Sequence, residues 1–358
     1  MKNEIESWTA LRAVAAIWIV LYHFKKHFDS ELSIHLIEKG YLAVDVFFVL
    51  SGAVMYHVYS NSIMDRQFQL SRFLLKRFAR IYPVHFVTMI ASVIVLLGGS
   101  AIGLATPPPY DLVSAVTYNT LLLHGHGALD QLTLNYPSWS ISAEATAYIG
   151  FFPLCLFAIK IPARLSFFFG GVLFLTCSAL FQLLQPTAWQ VDDHRISLTE
   201  ITYEFSIFRI LPEFVLGLLV VRTAQFYRSC NIGLSWIVLS STGMLAFAYA
   251  DIDSGFVIAS AAMIGFLYII DAKPYRFSIY LGTISYSIYM VHALVEMVGF
   301  KVLEKIGSWP DDGVPLWTLP IMMAVTIGLG SFTYHFIENP GRNLVLALST
   351  RQFSRRFR

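Results

Sequence analysis

The sequence predicts an all-α, polytopic membrane protein of about ten transmembrane helices, and three observations carry that reading. Of 358 residues, 56% are hydrophobic and 13% charged, with a mean hydropathy of +0.62; soluble domains average about 25% charged. Ten segments are long and apolar enough to cross roughly 30 Å of hydrocarbon. The basic residues also segregate between alternate loops, as the positive-inside rule requires.

The ten expected spans fall near 9–28, 41–60, 79–99, 139–159, 165–184, 204–221, 231–250, 254–271, 278–300 and 315–337. "DLVSAVTYNTLLLHG" (111–125) is shorter and more polar. It reads as a re-entrant or interfacial helix within a long loop that "ATPPPYD" (105–111) stiffens, with an eleventh span as the alternative. The chain divides into a membrane domain, 1–340, and a basic tail, 341–358. The leader "MKNEIES" is nearly balanced in charge and precedes no small-x-small cleavage site, so the first span is not expected to be a cleaved signal peptide.

With the N-terminus in the cytoplasm, inner segments hold Lys2, Arg12, Arg66, Arg72, Lys76, Arg77, Arg80, Lys160, Arg164, Arg222, Arg228, Lys273, Arg276, Arg342, Arg351, Arg355, Arg356 and Arg358. The outer segments hold Lys25, Lys26, Lys39, Arg195, Lys301 and Lys305, and Arg209 lies inside a span. The loop 100–138 has neither Lys nor Arg. Both termini are therefore expected to be cytoplasmic.

"LRAVAAIWIVLYHF" (11–24) raises the first chemical question, because it carries Arg12 and His23 in one span. A charge in hydrocarbon costs about 2.5–3.5 kcal/mol on insertion scales. Eleven residues at 100° each make three turns plus ~20°, so both side chains share a helix face, roughly 16 Å apart, with Ala16 and Ile19 on the same stripe. That face reads as the wall of a passage. The plainer alternative is that Arg12 snorkels and His23 bonds to a neighbouring helix.

"FLLKRFARIYP" (73–83) places Arg77 and Arg80 three residues apart at the inner end of the third span, beside Arg72 and Lys76. Arginine binds phosphate oxygens bidentately and stays charged, which suits a phosphate site; ordinary positive-inside anchoring is the alternative. Near the outer side, "GYLAVDVFFVLSG" carries Asp45 and "YPSWSISAEATAY" carries Trp139, Ser140 and Glu144. Asp45, Glu144 and His23 are expected at matched depth, where a carboxylate can orient an imidazole. His292, with Glu296 one turn on, competes with His23 as the reacting histidine, and Glu338 is expected to pair with the inner arginines. His124 and His126 lack acidic or cysteine partners at ligand spacing, and Cys155, Cys177 and Cys230 show no paired spacing, so no metal is expected.

These motifs resemble the acyltransferase-3 family of integral membrane acyltransferases over nearly the whole chain. "LRAVAAIWIVLYHF" is similar to its Arg-x10-His signature, "AVDVFFVLSGAVM" to its Phe-Phe-x-x-Ser-Gly segment, and "LLKRFARIYP" to its Arg-x-x-Arg motif. "PSWSISAEATAY" is similar to its Trp-Ser-x-x-x-Glu motif, and "ISYSIYMVH" and "FIENPGR" to its closing pair. The resemblance implies transfer of an acyl group, commonly acetyl, from cytoplasmic acyl-CoA to a hydroxyl of an extracytoplasmic glycan or lipid-linked saccharide. Membrane lipids are then neighbours, and no nucleic acid is expected as a partner. It implies Arg12 and His23 as the signature pair, Arg77 and Arg80 as the coenzyme-binding pair and Glu144 as the acidic position. The residue map adds His23 as general base oriented by Glu144 or Asp45, and Arg72 and Arg12 as further charges on the acetyl-CoA phosphates. Trp139, Ser140 and His292 become candidates for oxyanion or substrate contact.

One departure is "SISAEATAY", with Ala145 and Thr146 where many relatives carry a second acid and a polar residue, so Glu144 acts without that acid here. Some relatives also carry a fused periplasmic esterase-like domain, whereas this sequence runs 21 residues past the last expected span. The inferred geometry has the thioester arm running along the Ala16–Ile19 face to His23. A transporter or flippase is the rival class, since intramembrane charges also mark transport pathways, but no inverted repeat is legible. A sensor or scaffold would leave the Arg12–His23 face unexplained.

Overall fold

A computed structural model describes residues 5–28, 34–103, 106–185, 196–230, 232–270, 272–307, 309 and 313–356, with side chains to 349. Lys2, Arg195, Arg358 and the stretch "QVDDHR" (190–195) lie outside the described residues. Helices run in the order α1 Glu6–Phe24, α2 His35–Glu38, α3 Ala43–Met64, α4 Leu70–Ala101, α5 Leu112–Thr120, α6 Trp139–Lys160, α7 Ser166–Leu184 and α8 Ile207–Phe226. They continue with α9 Ser235–Tyr249, α10 Asp253–Ile270, α11 Arg276–Thr283, α12 Ser285–Val295, α13 Lys301–Gly307, α14 Leu319–Thr333 and α15 Asn339–Arg356. No strand occurs among the described residues.

All ten expected spans are helical, and eight of the helical stretches are long and apolar enough to cross a membrane by length and composition. α8 and α9 fall outside that count: α8 carries Arg209, Glu213 and Arg222, and α9 has 15 residues. α8 is nonetheless the hub of the bundle, with Ile210, Phe214, Leu216, Leu218 and Val221 fully buried. It crosses α3 so closely that a Cβ on Gly52 would overlap the Phe214 carbonyl, and one on Gly217 the Val49 carbonyl. Close approach through small residues is how helices gain packing when lipid offers no hydrophobic contrast. α7 shows the opposite pattern, exposing Phe168, Val172, Leu183 and Leu184.

The apolar interior has two parts. One gathers α3, α6, α8 and α10 with Trp8, Ala15 and Ile19 of α1. The other joins Ala13, Ala16 and Val20 of α1 to α11, α12 and α14. α1 therefore stands at the seam between them. A Cβ on Gly282 would overlap the Thr9 carbonyl, so α11 lies directly on α1.

The segment expected to be a re-entrant or interfacial helix holds α5, nine residues long. Asp111 caps α5 by accepting from the Ser114 N–H at 2.8 Å, and those Ser114 hydrogen bonds hold its carboxyl below the usual range. Tyr110 and Leu112 pack beside Val93 and Leu96 of α4. At the other end of α5, Tyr82 Oη donates to the Thr120 carbonyl at 3.1 Å and His85 Nε2 to that of Asn119 at 2.9 Å. Tyr82 and Leu96 are about 21 Å apart along α4 at 1.5 Å per residue, so α5 descends well into the bundle before the chain returns to α6.

Candidate active site

α1 holds Arg12 and His23 on one continuous helix, both half-buried. Beside it α12 presents Tyr286, Tyr289 and His292, continued by Glu296, three or four residues apart and hence on one stripe. The stripe is about 15 Å long and links two polar centres, one rich in histidine and one in arginine.

At the histidine end, the His23 ring lies 5.0 Å from that of His292 and 5.0 Å from that of Tyr136. His292 is fully buried, with Nδ1 2.5 Å from the Tyr289 carbonyl. A carbonyl only accepts, so Nδ1 carries the proton and Nε2 presents a lone pair; Nε2 is buried with no hydrogen-bond partner. The Tyr289 hydroxyl donates to the Pro137 carbonyl at 2.8 Å and lies 2.9 Å from Ser140 Oγ. Glu296 begins a π-turn, Glu296–Phe300. Its carboxylate receives Lys26 Nζ at 2.5 Å, His27 Nε2 at 3.1 Å and the Tyr136 hydroxyl. A cavity of about 350 Å³ opens here, lined in part by Lys26, His27, Tyr136, Glu296 and Glu304.

At the arginine end, Arg80 pairs with Glu338, and Ser287 Oγ donates to the same carboxylate at 2.6 Å. Glu338 also sits in a π-turn, Tyr334–Glu338. The Arg77 guanidinium lies over the rings of Tyr59, Phe73 and Tyr148, with Nε buried and without a hydrogen-bond partner. Arg12, Arg77 and Arg342 all act on Arg80 through their charge. Arg72 is exposed, and its five-residue offset turns it about 140° away from Arg77.

The structure thus brings together His23 with His292, and Arg77 with Arg80 and Arg12. It separates other residues expected to act with them. Asp45 does not face His23: it is fully buried in a bidentate pair with Arg209, at 2.9 and 2.8 Å. Arg209 spends its other donors on the carbonyls of Ile201 and Tyr41, which leaves Asp45 a structural counter-ion. Glu144 does not orient His23 either. Its Oε1 accepts from Ser51 Oγ at 2.8 Å and Tyr148 Oη at 2.5 Å, which attaches it to the Arg77 side of the stripe. Trp139 lies under Arg209, 5.3 Å from ring centre to guanidinium carbon, whereas Ser140 belongs to the Tyr289 network next to His292. Ala16 and Ile19 are 0% and 2% exposed, so the face expected to carry the thioester arm is a closed seam here.

Tyr136, Tyr289 and Tyr148 escaped the sequence reading. The signal for two of them was present: Tyr148 is four residues from Glu144 and Tyr289 three from His292, one helical turn in each case. Tyr136 had none, because its ring reaches His23 through the loop path. His124 and His126 bond to Ser138 and Thr146 at 3.0 and 2.9 Å, and among the described residues no group of three potential ligands gathers for a metal.

The acyltransferase-3 profile, described as an acyltransferase domain, matches residues 5–335. The chain belongs to the acyltransferase-3 family. It is an integral membrane acyltransferase, and an acyl donor is its co-substrate. Among relatives of this acyltransferase, the acyltransferase MdmB of Streptomyces mycarofaciens is 28% identical over 96% of this chain and 92% of its own length. Protein 2 in the picA locus of Rhizobium radiobacter is 31% identical over 37% of this chain and 73% of its own length. SACOL0978 of Staphylococcus aureus (strain COL), provisionally named an O-acetyltransferase, is 24% identical over 93% of this chain, which spans 56% of that protein. No solved structure matches.

Proposed function

We propose that this acyltransferase moves an acyl group, acetyl by preference, from cytoplasmic acyl-CoA to a hydroxyl of an extracytoplasmic glycan or lipid-linked saccharide, in the bacterial inner membrane. The observation that carries this reading is the α12 stripe, which joins an arginine cluster to a pair of imidazoles about half a bilayer apart. The bias of Lys and Arg between alternate loops supports a cytoplasmic arginine end. Arg77 and Arg80, with Arg12 and Arg342 beside them, would hold the phosphates of the coenzyme. The pantetheine arm would part the α1 seam to reach the histidines.

His23, half-buried against Tyr136, takes the proton of the acceptor hydroxyl. The oxygen attacks the thioester carbonyl, the C–S bond breaks, and the imidazolium returns its proton to the departing thiolate. The products are the ester and free coenzyme thiol. A second reading makes His292 the base, favoured by its fixed tautomer and unpartnered Nε2.

Purified protein incubated with radiolabelled acetyl-CoA tests the reading. Release of labelled acetate or ester by the wild type, and its loss in His23→Ala, is the expected result. A wild type inert toward acetyl-CoA, on cells whose surface glycan keeps its O-acetyl signals when the gene is removed, would sink it. A glycan or anion transporter, the rival class, would move substrate without consuming the thioester.

A further inference from the structure

The cavity at the histidine end has walls from four parts of the chain. Lys26 and His27 follow α1, Tyr110 and Thr133 come from the loops around α5, Tyr136 precedes α6, and Glu296 to Glu304 close the other side. Its lining sets the apolar Leu132, Leu134 and Met297 and two tyrosines beside charged and hydroxyl groups. Its 350 Å³ lies at the small end of the roughly 300–1,000 Å³ typical of small-molecule sites. Apolar faces beside hydrogen-bonding groups suit one hydroxylated ring, which has C–H faces and a hydroxyl rim.

The cavity stops short of the reacting groups because of one contact. Tyr136 stands with its ring against His23, 5.0 Å centre to centre, and its hydroxyl donates to Glu296. Glu296 is 5% exposed and further tied to Lys26 and His27, so the phenol is held by a carboxylate that is itself fixed. His292 and its unpartnered Nε2 lie behind that ring, 6.2 Å from it.

We infer that this cavity is the acceptor's binding site, that it takes a sugar unit or a comparably hydroxylated ring, and that the Tyr136–Glu296 contact is a latch which the acceptor hydroxyl displaces. This rests on the acyl-transfer reading above. Closed, the latch keeps bulk water from the fully buried His292, so the thioester is not spent on hydrolysis there. Opened by the acceptor, it leaves Glu296 to accept a hydrogen bond from the sugar in place of the phenol. Glu296 and Tyr136 are then positioning residues whose effect is on where the acyl group goes.

The test separates hydrolysis from transfer. Purified Tyr136→Phe and Glu296→Gln are assayed for acetate release from radiolabelled acetyl-CoA without acceptor, and the same variants are expressed in native cells whose surface glycan is scored for alkali-labile O-acetyl. Loss of one buried hydrogen bond corresponds to roughly a tenfold change. Acceptor-free hydrolysis is expected to rise about that much while glycan O-acetyl falls. Unchanged hydrolysis with unchanged O-acetyl overturns the latch, as does a parallel fall of both in a protein that still elutes as a folded species. Leu132→Trp, which narrows the cavity from the wall formed by the loop after α5, is expected to lower glycan O-acetyl; normal O-acetyl in that variant removes the cavity as the acceptor site. Failure of the acyl-transfer reading itself shows differently, as a surface glycan whose O-acetyl is unchanged when the gene is removed.

Discussion

The two ends of the α12 stripe are built alike and charged differently. Each has a carboxylate in a π-turn, Glu296 at one end and Glu338 at the other, and each carboxylate is almost wholly buried. π-turns insert one residue into a helix and recur at functional sites. Glu296 gathers Lys26, His27 and a phenol around itself, and a cavity opens beside them. Glu338 takes one arginine and one serine, while the charges of Arg77 and Arg342 stand near that arginine. The lesson is in the balance of charge. A centre with more guanidinium than carboxylate is set up for an anion from outside, and a centre balanced in charge but with space is set up for a neutral ligand. Arg209 and Asp45 supply the third case, balanced and without space, where the pair serves the fold.

The largest effect should follow from breaking the histidine end. His23→Ala is expected to lower transfer by ~10²–10⁴-fold, the usual contribution of a general base, with the protein still in the membrane; near-normal O-acetyl signals in the glycan NMR spectrum would remove His23 from that role. His292→Ala, measured the same way, decides between the two imidazoles, since the base is the one whose loss costs more. Next comes the buried pair: Asp45→Ala takes from Arg209 its bidentate partner and should destabilise the protein by about 3–5 kcal/mol. The double change Asp45→Leu with Arg209→Met should recover much of that in a thermal melt in detergent. If Asp45→Ala instead melts normally but is inactive, Asp45 belongs to the chemistry after all.

At the arginine end, Arg77→Ala is the cleaner probe, because removing Arg80 would also strand Glu338. One charge-assisted contact is worth about 1.5–3 kcal/mol, so acyl-CoA affinity by calorimetry should weaken roughly tenfold to a hundredfold. The double variant Arg77→Ala with Arg80→Ala should weaken it further; unchanged affinity in both would take the phosphates away from this cluster. The smallest effect is expected at α5, where Tyr82→Phe removes a single hydrogen bond to the Thr120 carbonyl and should cost about 1 kcal/mol.

Much of the fold was legible because lipid imposes length and polarity on every span. The helical stretches at the expected spans and the short α5 followed from hydropathy and from the polar run at 111–125. The Arg12–His23 alignment and the Arg80–Glu338 pair were legible too, the first from helical geometry and the second from matched depth. What depth alone could not settle was the partner. Asp45, Glu144 and His23 were placed at one level, yet Asp45 turned to Arg209 on α8 and Glu144 to Ser51 and Tyr148. Azimuth around the bundle depends on which helices touch, and the Gly52–Gly217 crossing that brings α3 onto α8 leaves no periodic trace. Tyr136 was hidden for a related reason, since its place at His23 is set by the loop between α5 and α6.

The Arg209–Asp45 pair also bears on how the chain enters the bilayer. α8 carries Arg209, Glu213 and Arg222, and a charge costs up to about 2.5–3.5 kcal/mol on insertion, most at the helix centre. Alone in lipid, such a helix is a poor span. Asp45 is made more than a hundred and sixty residues earlier and emerges without its counter-ion. α3 therefore waits, through four intervening helices, for the cation that neutralises it. Biogenesis of this protein is in that sense ordered from within: the membrane accepts its central helix only as half of a neutral couple, late and already accompanied.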